Sequence, residues 1–137
     1  WFLESGKIVV REQRSDGSEI AHRSKGYNAI ADIPTVILVN NGSASASEIL
    51  AGALRDHNKI QLIGTKTFGK GSVQELIDIT ENTSLKITIA KWLTPLGTSL
   101  SDNGLDPDVM VEADKEDQEQ LKDMQLERAL EIIRAME

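Results

Sequence analysis

Short runs of apolar and β-branched residues predict most of the strands in this chain. TVILVN (residues 35–40) is almost wholly apolar, which predicts a strand buried on both faces, and KIQLIGT (residues 59–65) has the same character. VQELIDIT and SLKITIAKWLTP predict two strands separated by the polar ENTS, and VMVEA predicts a final edge strand. Near the start, two strand-like arms flank Asp16-Gly17, a dipeptide typical of a hairpin turn.

Apolar residues at helical spacing predict two helices and one short helical end. The first helix is expected from about Ser45 to Leu54, between the first two buried strands. The tail DMQLERALEIIRAME has apolar side chains at i, i+4 and i+7, which predicts the second helix. WFLESG predicts the last turn of a helix that Gly6 terminates. A strand, a helix and a strand in quick succession, followed mainly by strands, indicate an α/β fold with a mixed β-sheet and packed helices.

The composition excludes several classes of function. The 137 residues suffice for one domain. There are 15 Lys and Arg against 22 Asp and Glu, a net charge of −7, so no basic face for nucleic acid is expected. The absence of cysteine excludes disulfides, thiolate zinc sites and a cysteine nucleophile. No run approaches the roughly 20 apolar residues of a membrane span.

The stretch NNGSASASEILAGAL (residues 40–54), which ends in the first predicted helix, is the first candidate for chemistry. A turn at the carboxyl end of a buried strand is where ligands bind in open α/β sheets. The following helix start offers unpaired N–H groups and partial positive charge, which suit a developing oxyanion. However, Ser45 and Glu48 also fit the S-x-x-E capping box, and this stretch alone favours capping over a nucleophilic serine.

A serine nucleophile needs a base, and the two histidines are weak candidates. His22 lies in a strand-like arm and His57 at the predicted helix exit, where a histidine is usually exposed. A Ser-His-Asp triad therefore stays open as the less favoured arrangement. Two isolated histidines without an H-E-x-x-H motif also argue against a zinc site.

Lysine is the other possible base, because a Ser-Lys dyad is a known variant of the catalytic triad. The amine must then be uncharged, which requires burial away from carboxylates. Lys70 lies in TFGKGSVQ between Gly69 and Gly71, with Phe68 close enough to cover the amine. A turn lysine that points into water is an equally good interpretation. Gln74, four residues on, can accept a hydrogen bond from the amine without adding negative charge.

At these residues the chain resembles a known family. NNGSASASEILAGALRDH and LIGTKTFGKGSVQ closely resemble the core of the carboxyl-terminal processing peptidases, or tail-specific proteases. WLTPLGTSLSDNGLDPDV resembles their later segment, which ends in a G-I/L-x-P-D motif. The resemblance covers nearly the whole chain and implies a crotonase/ClpP-like core, here as an incomplete fragment. We expect residues 1–113 to be the C-terminal part of the catalytic core, and residues 114–137 to be an acidic linker and C-terminal helix.

The resemblance also implies the roles of individual residues. Ser45 is the expected nucleophile, Lys70 its base and Gln74 the residue that orients the lysine, and the Ala46 N–H is one oxyanion-hole donor. The implied reaction is acyl transfer through an acyl-enzyme, without metal or cofactor. We expect substrate contacts along the two glycine- and serine-containing loops. These residues are Gly42, Ser43, Ala44, Gly69 and Gly71.

The implied substrates are proteins with apolar C-terminal tails, and nucleic acid is not an expected partner. The family carries a PDZ domain upstream that captures the tail, and a D-L-R-x-N-P-G-G segment that supplies the second oxyanion donor. We expect both to be absent here, so that the fragment alone is weak or inactive and prone to homodimerisation or strand exchange. An extracytoplasmic location is expected, in the periplasm or cell envelope, with or without an N-terminal membrane anchor. The alternatives are a non-catalytic crotonase-like module that binds peptides or acyl ligands and, less favoured, an acyl-CoA enzyme.

Overall fold

The fold was analysed in a computed structural model that describes residues 1–57, 60–101, 103–112 and 123–136. Within this part of the chain, strands and helices alternate early and strands dominate later, as the sequence predicts. In chain order the elements are β1 (Ile8–Arg14), β2 (Glu19–Arg23), β3 (Val36–Val39), α1 (Ala46–Asp56), β4 (Gln61–Gly64), β5 (Ser72–Thr80), β6 (Thr83–Leu93), β7 (Val109–Met110) and α2 (Met124–Arg134). The predicted mixed α/β class is confirmed.

The strands form two sheets that differ in their pairing. One has the order β2-β1-β6-β5 with antiparallel neighbours, and the other has the order β3-β4-β7 with parallel neighbours. The predicted hairpin at Asp16-Gly17 connects β1 to β2, with Gly17 at φ 82°. The Asp16 carboxylate accepts hydrogen bonds from the backbone N–H and the hydroxyl of Ser18, at 2.8 and 2.6 Å, which fixes this turn.

The β3–α1–β4 unit positions the serine-rich turn. β3 and β4 are parallel and in register from Val36 opposite Gln61 to Val39 opposite Gly64, so α1 is the crossover between them. The predicted burial on both faces is confirmed for β4, whose Leu62 and Ile63 are fully buried. It is wrong for β3, where Leu38 is 40% exposed. The reason is position, since β4 lies between two strands and β3 is at the edge of the sheet.

The hydrophobic core lies between α1, the parallel sheet and the long loop after β6. A second, smaller cluster packs Leu3 against Leu54 and Ile60. Residues 1–6 do not form the predicted helical end, although Gly6 has the expected positive φ of 82°. Burial of Leu3 against α1, a contact across about fifty residues, fixes this segment instead. The main core cluster consists of Val39, Ala51, Leu62, Leu100 and Leu105.

The predicted C-terminal helix is confirmed as α2. Asp123 caps it, accepting a hydrogen bond from the Leu126 N–H at 2.9 Å. Ala129 is buried, and the Gln125 amide donates to the Val111 carbonyl at 2.9 Å, next to β7. The acidic linker lies mostly in residues 113–122, outside the described residues, so the predicted domain boundary stays a prediction. Neither described helix has the length and apolarity required to cross a membrane.

Candidate active site

Ser45 lies at a strained turn between β3 and α1. It is the N-cap residue of α1 and has φ 57° and ψ −116°, a backbone conformation that L-residues rarely adopt. The turn before it is tight, because the Ser43 N–H donates to the Asn40 carbonyl at 2.8 Å and the Gly42 N–H to the Asn40 side chain at 2.8 Å. Strained backbone of this kind concentrates at functional sites, and a sharp strand-to-helix turn exposes a nucleophilic serine in several hydrolases. Ser45 is exposed here.

Ala46, whose N–H is expected to be an oxyanion donor, lies at the start of α1. Ala46 is the first residue of the helix, so its N–H has no acceptor within the helix and carries part of the positive end of the helix dipole. Ala46 is exposed, and Ala44 before it is half-buried. Together these small residues leave the backbone beside Ser45 accessible to a substrate carbonyl.

Lys70 lies in the loop between β4 and β5. Its side chain is exposed, and Phe68, which the sequence analysis placed over the amine, is itself 61% exposed. Gly69 has φ 89°, which favours glycine, and Gly71 is buried where a Cβ would lie 2.4 Å from the backbone of Leu100. The glycines therefore shape the loop, but the described part of the chain leaves the Lys70 side chain exposed.

Gln74 lies on β5, four residues after the lysine. Its side-chain amide donates to the Thr88 hydroxyl on β6 at 3.5 Å, a long hydrogen bond, and the residue is exposed. Among the described residues, no hydrogen bond joins the side chains of Ser45, Lys70 and Gln74 to one another. The predicted triad is therefore not hydrogen-bonded in this state.

One buried carboxylate connects the two predicted catalytic segments. Glu48 on α1 is 0% exposed. It accepts a hydrogen bond from the Ser45 N–H at 2.9 Å, which is the glutamate half of the predicted capping box. It also accepts from the N–H groups of Gly69 at 2.7 Å and Lys70 at 2.9 Å, and from the Thr67 hydroxyl at 2.6 Å. A single carboxylate thus fixes the backbone of the serine turn and the backbone of the lysine loop.

A second contact joins the same two loops, because the Phe68 N–H donates to the Ser43 carbonyl at 3.0 Å. The Gly104-Leu105 segment supports them from behind. The Leu105 N–H donates to the Thr67 hydroxyl at 2.7 Å, which in turn donates to Glu48. Gly104, at φ 60°, approaches so closely that a Cβ would lie 2.5 Å from the Thr67 carbonyl oxygen. The glycine of the G-L-D-P-D motif is explained by this contact.

From the sequence alone, Glu48 is predicted only to cap α1. The S-x-x-E spacing indicated its contact with Ser45, but its partners at Thr67, Gly69 and Lys70 lie 19 to 22 residues away. No local pattern predicts such contacts. The feature that reveals the wider role of Glu48 is the burial of its carboxylate, and burial can be seen only in the folded chain.

The described histidines do not serve Ser45. His57 is at the opposite end of α1, about 18 Å away at 1.5 Å per residue, and its Nε2 lies 2.8 Å from the Ile8 carbonyl oxygen. His22 lies on β2, 3.4 Å from Glu12 and packed edge-on against Trp92. The Ser-His-Asp alternative is therefore not supported. Within the described ranges, no three His, Asp or Glu side chains cluster in a way that would hold a metal ion.

Comparison with known proteins assigns the chain to a family. The sequence profile of Peptidase family S41 matches residues 1–111. The chain belongs to peptidase family S41. The S41 chain is 45% identical over 111 residues to a carboxy-terminal-processing protease of Bartonella bacilliformis, which covers 81% of the chain and 26% of the relative. It is 43% identical over 115 residues to a Staphylococcus aureus protein named "Probable CtpA-like serine protease", covering 83% and 23% respectively.

A solved structure supports the same assignment. The photosystem II D1 C-terminal processing protease superposes on the S41 chain with a TM-score of 0.74 at 37% identity, covering 81% of this chain and 28% of that one. The chain therefore spans about a quarter of the length of the relatives that it matches. The resemblance to carboxyl-terminal processing peptidases is confirmed.

Proposed function

We propose that the protein is a serine endopeptidase that cleaves through a Ser45-Lys70 dyad. The observation that carries this proposal is the shared carboxylate of Glu48, which holds the strained serine turn and the lysine loop side by side through backbone hydrogen bonds. A helix cap alone requires only the first of these contacts. Family membership supports the peptidase class, and the positions of Ser45 and Lys70 in the two loops support the choice of residues.

In the proposed reaction, the uncharged Lys70 amine takes the proton of the Ser45 hydroxyl while Oγ attacks the substrate carbonyl carbon. The carbonyl oxygen becomes an oxyanion, which the Ala46 N–H stabilises at the start of α1. Lys70 then gives its proton to the leaving amine, and the acyl-enzyme ester forms. Water, deprotonated by the same amine, hydrolyses the ester and regenerates Ser45. Gln74 orients the lysine.

Since the Lys70 side chain is exposed, we also propose that the dyad is completed only when substrate is bound. A lysine base must be uncharged, which requires a cover that excludes solvent from its amine. We propose that bound substrate supplies this cover by lying over the exposed Phe68 and the Gly69–Gly71 loop. Catalytic hydrogen bonds are often absent in the free enzyme and form only in the substrate complex.

The finer features of the proposal rest on the resemblance. We propose that the substrates are proteins with apolar C-terminal tails, that the intact protein carries an upstream PDZ domain that captures the tail, and that it acts outside the cytoplasm. Since the 137 residues span about a quarter of their relatives, we also propose that they alone are a weak or inactive peptidase and that they homodimerise or exchange strands. A longer stretch of the protein that includes the proposed PDZ domain should cleave faster than the 137 residues alone.

The test compares variants of the intact protein on a protein substrate with an apolar C-terminal tail. Ser45→Ala and Lys70→Ala should each reduce kcat by at least about 10³-fold, since each removes one of two groups that act together. Gln74→Ala should reduce it less. Lys66→Ala is the matched control, because Lys66 lies in the same loop and pairs with the exposed Asp106 at 3.4 Å. Cleavage that survives Ser45→Ala or Lys70→Ala would refute the dyad, and tight peptide binding without cleavage by the unmodified protein would favour a binding module.

A further inference from the structure

One cleft begins beside Lys70 and meets a second cleft on the antiparallel sheet. The first has a volume of about 290 Å³, and its lining includes Lys70, Ser72, Thr88, Lys91 and Ser101. The second has a volume of about 380 Å³ and shares Thr88 and Lys91 with the first. From these two residues it continues across β6 to Gln13 and Arg14 on β1. Together the two clefts form a path that runs from the proposed base Lys70, across β6, to β1.

The charge of this path differs from that of the whole chain. The sequence holds 22 acidic and 15 basic residues, but Lys91 and Arg14 line the two clefts next to the proposed base Lys70, and no described Asp or Glu does. Arg14 has an acidic neighbour, with Glu12 at 3.9 Å. Among the described residues, no carboxylate lies within ion-pair distance of Lys91 or Lys70. A cationic cleft in an acidic domain favours an anionic ligand.

Lys91 is well placed to bind such a ligand. It lies on β6, in the middle of its sheet, paired with Gln13 on one side and Ser72 on the other. Ala90 beside it is buried, so this part of the strand is anchored in the core. In the same cleft, the Ser101 hydroxyl oxygen is buried and lacks a hydrogen-bond partner in the described part of the chain. Buried polar groups without partners are rare, and a ligand oxygen would satisfy this one.

We propose that the cleft binds a carboxylate of the peptide substrate, with Lys91 as its cationic ligand and the Ser101 hydroxyl as a hydrogen-bond donor. The inference rests on the proposed peptidase function and adds to that site a preference for one carboxylate group in the substrate, besides its apolar tail. Because Lys91 carries the matching charge, the bound carboxylate adds no net negative charge next to the Lys70 amine. The carboxylate can come from an Asp or Glu side chain near the cleaved bond or from the C-terminus of the substrate.

Binding is tested first, in the intact protein carrying Ser45→Ala, so that cleavage does not interfere. Fluorescent peptides are compared in pairs that differ by Glu or Gln at each position around the cleavage site, and by a free or amidated C-terminus. In one pair, we expect the peptide with the carboxylate to bind about three- to fivefold more tightly, which is the range of a solvent-accessible ion pair. This difference in affinity should decrease at high salt. Lys91→Gln should abolish this preference, and Lys91→Glu should reverse it. Lys86→Gln, on the same strand outside both clefts, should leave it unchanged.

Each outcome decides one of the two proposals. The pair of peptides that loses its preference in Lys91→Gln identifies the side chain or the C-terminus as the source of the carboxylate. If no pair shows a preference, or if the preference persists in Lys91→Gln, the carboxylate site is wrong, whether or not the enzyme cleaves. If the preference depends on Lys91 but the unmodified protein does not cleave the peptides, the site stands and the peptidase proposal fails.

Discussion

The backbone at Ser45 allows a quantitative test of strain at the proposed nucleophile. At φ 57° and ψ −116°, a residue with a Cβ costs about 1–3 kcal/mol, and glycine avoids most of this cost. Ser45→Gly and Ser45→Ala both remove the hydroxyl, so their difference isolates the Cβ. A helix N-cap itself prefers Gly to Ala by about 0.5–1 kcal/mol. We therefore expect Ser45→Gly to be more stable than Ser45→Ala by about 1.5–4 kcal/mol, the sum of the two effects.

The N-cap of α2 provides the matched control. Asp123 has φ −102° and ψ 87°, which is ordinary backbone, so its Gly and Ala variants should differ by the capping preference alone, about 0.5–1 kcal/mol. The assay is reversible urea unfolding of the four variants, with the free energy of unfolding obtained from each midpoint and slope. Equal Gly–Ala differences at Ser45 and Asp123 would show that the serine turn stores no strain. Both Ser45 variants should also be inactive.

Three further predictions follow from the contacts of the site. The Glu48 carboxylate accepts four hydrogen bonds, and in Glu48→Gln the new NH₂ group must face some of these donors. The free energy of unfolding should therefore fall by about 2–4 kcal/mol, and kcat/KM should fall as well. Unchanged urea unfolding would refute the bridging role of Glu48. Gly104→Ala should destabilise the protein by about 1–3 kcal/mol more than Gly97→Ala, as measured by thermal or urea unfolding. Both glycines have positive φ, but only Gly104 lies against Thr67. The neighbouring serine hydroxyl and amide lower the pKa of Asp16 from its ordinary value of 3.8, so its stabilising contribution is present above that pH and is lost as the pH falls further. The difference in urea midpoint between the unmodified protein and Asp16→Asn should therefore shrink on acidification, and a difference that grows would contradict this assignment.

Most elements of the fold could be predicted from local sequence. The hairpin at Asp16-Gly17, the succession of β3, α1 and β4 and the C-terminal helix α2 all match their predictions. Each depends on periodicity or turn chemistry within a few residues of the chain. Two predictions were wrong: Leu38 on β3 is exposed instead of buried, and residues 1–6 do not form a helical turn. Both depend on neighbours that are distant in sequence.

The sequence by itself determined which residues are chemically suited to the site. The sequence contains a serine at a predicted strand-to-helix turn (Ser45), a lysine between two glycines (Lys70) and a glutamine four residues after that lysine (Gln74). Their resemblance to one family agrees with the S41 profile match. Local spacing carries this information because each loop is a short, contiguous stretch of chain.

Only the tertiary structure decided how the two loops meet and what surrounds them. The Glu48 carboxylate joins segments about twenty residues apart, and Leu105 reaches the same network through Thr67 across 38 residues. The exposure of Lys70 and the cationic cleft at Lys91 likewise arise from the packing of separate strands and loops. Burial and long-range hydrogen bonds are properties of the whole packed chain, which no local pattern of residues encodes.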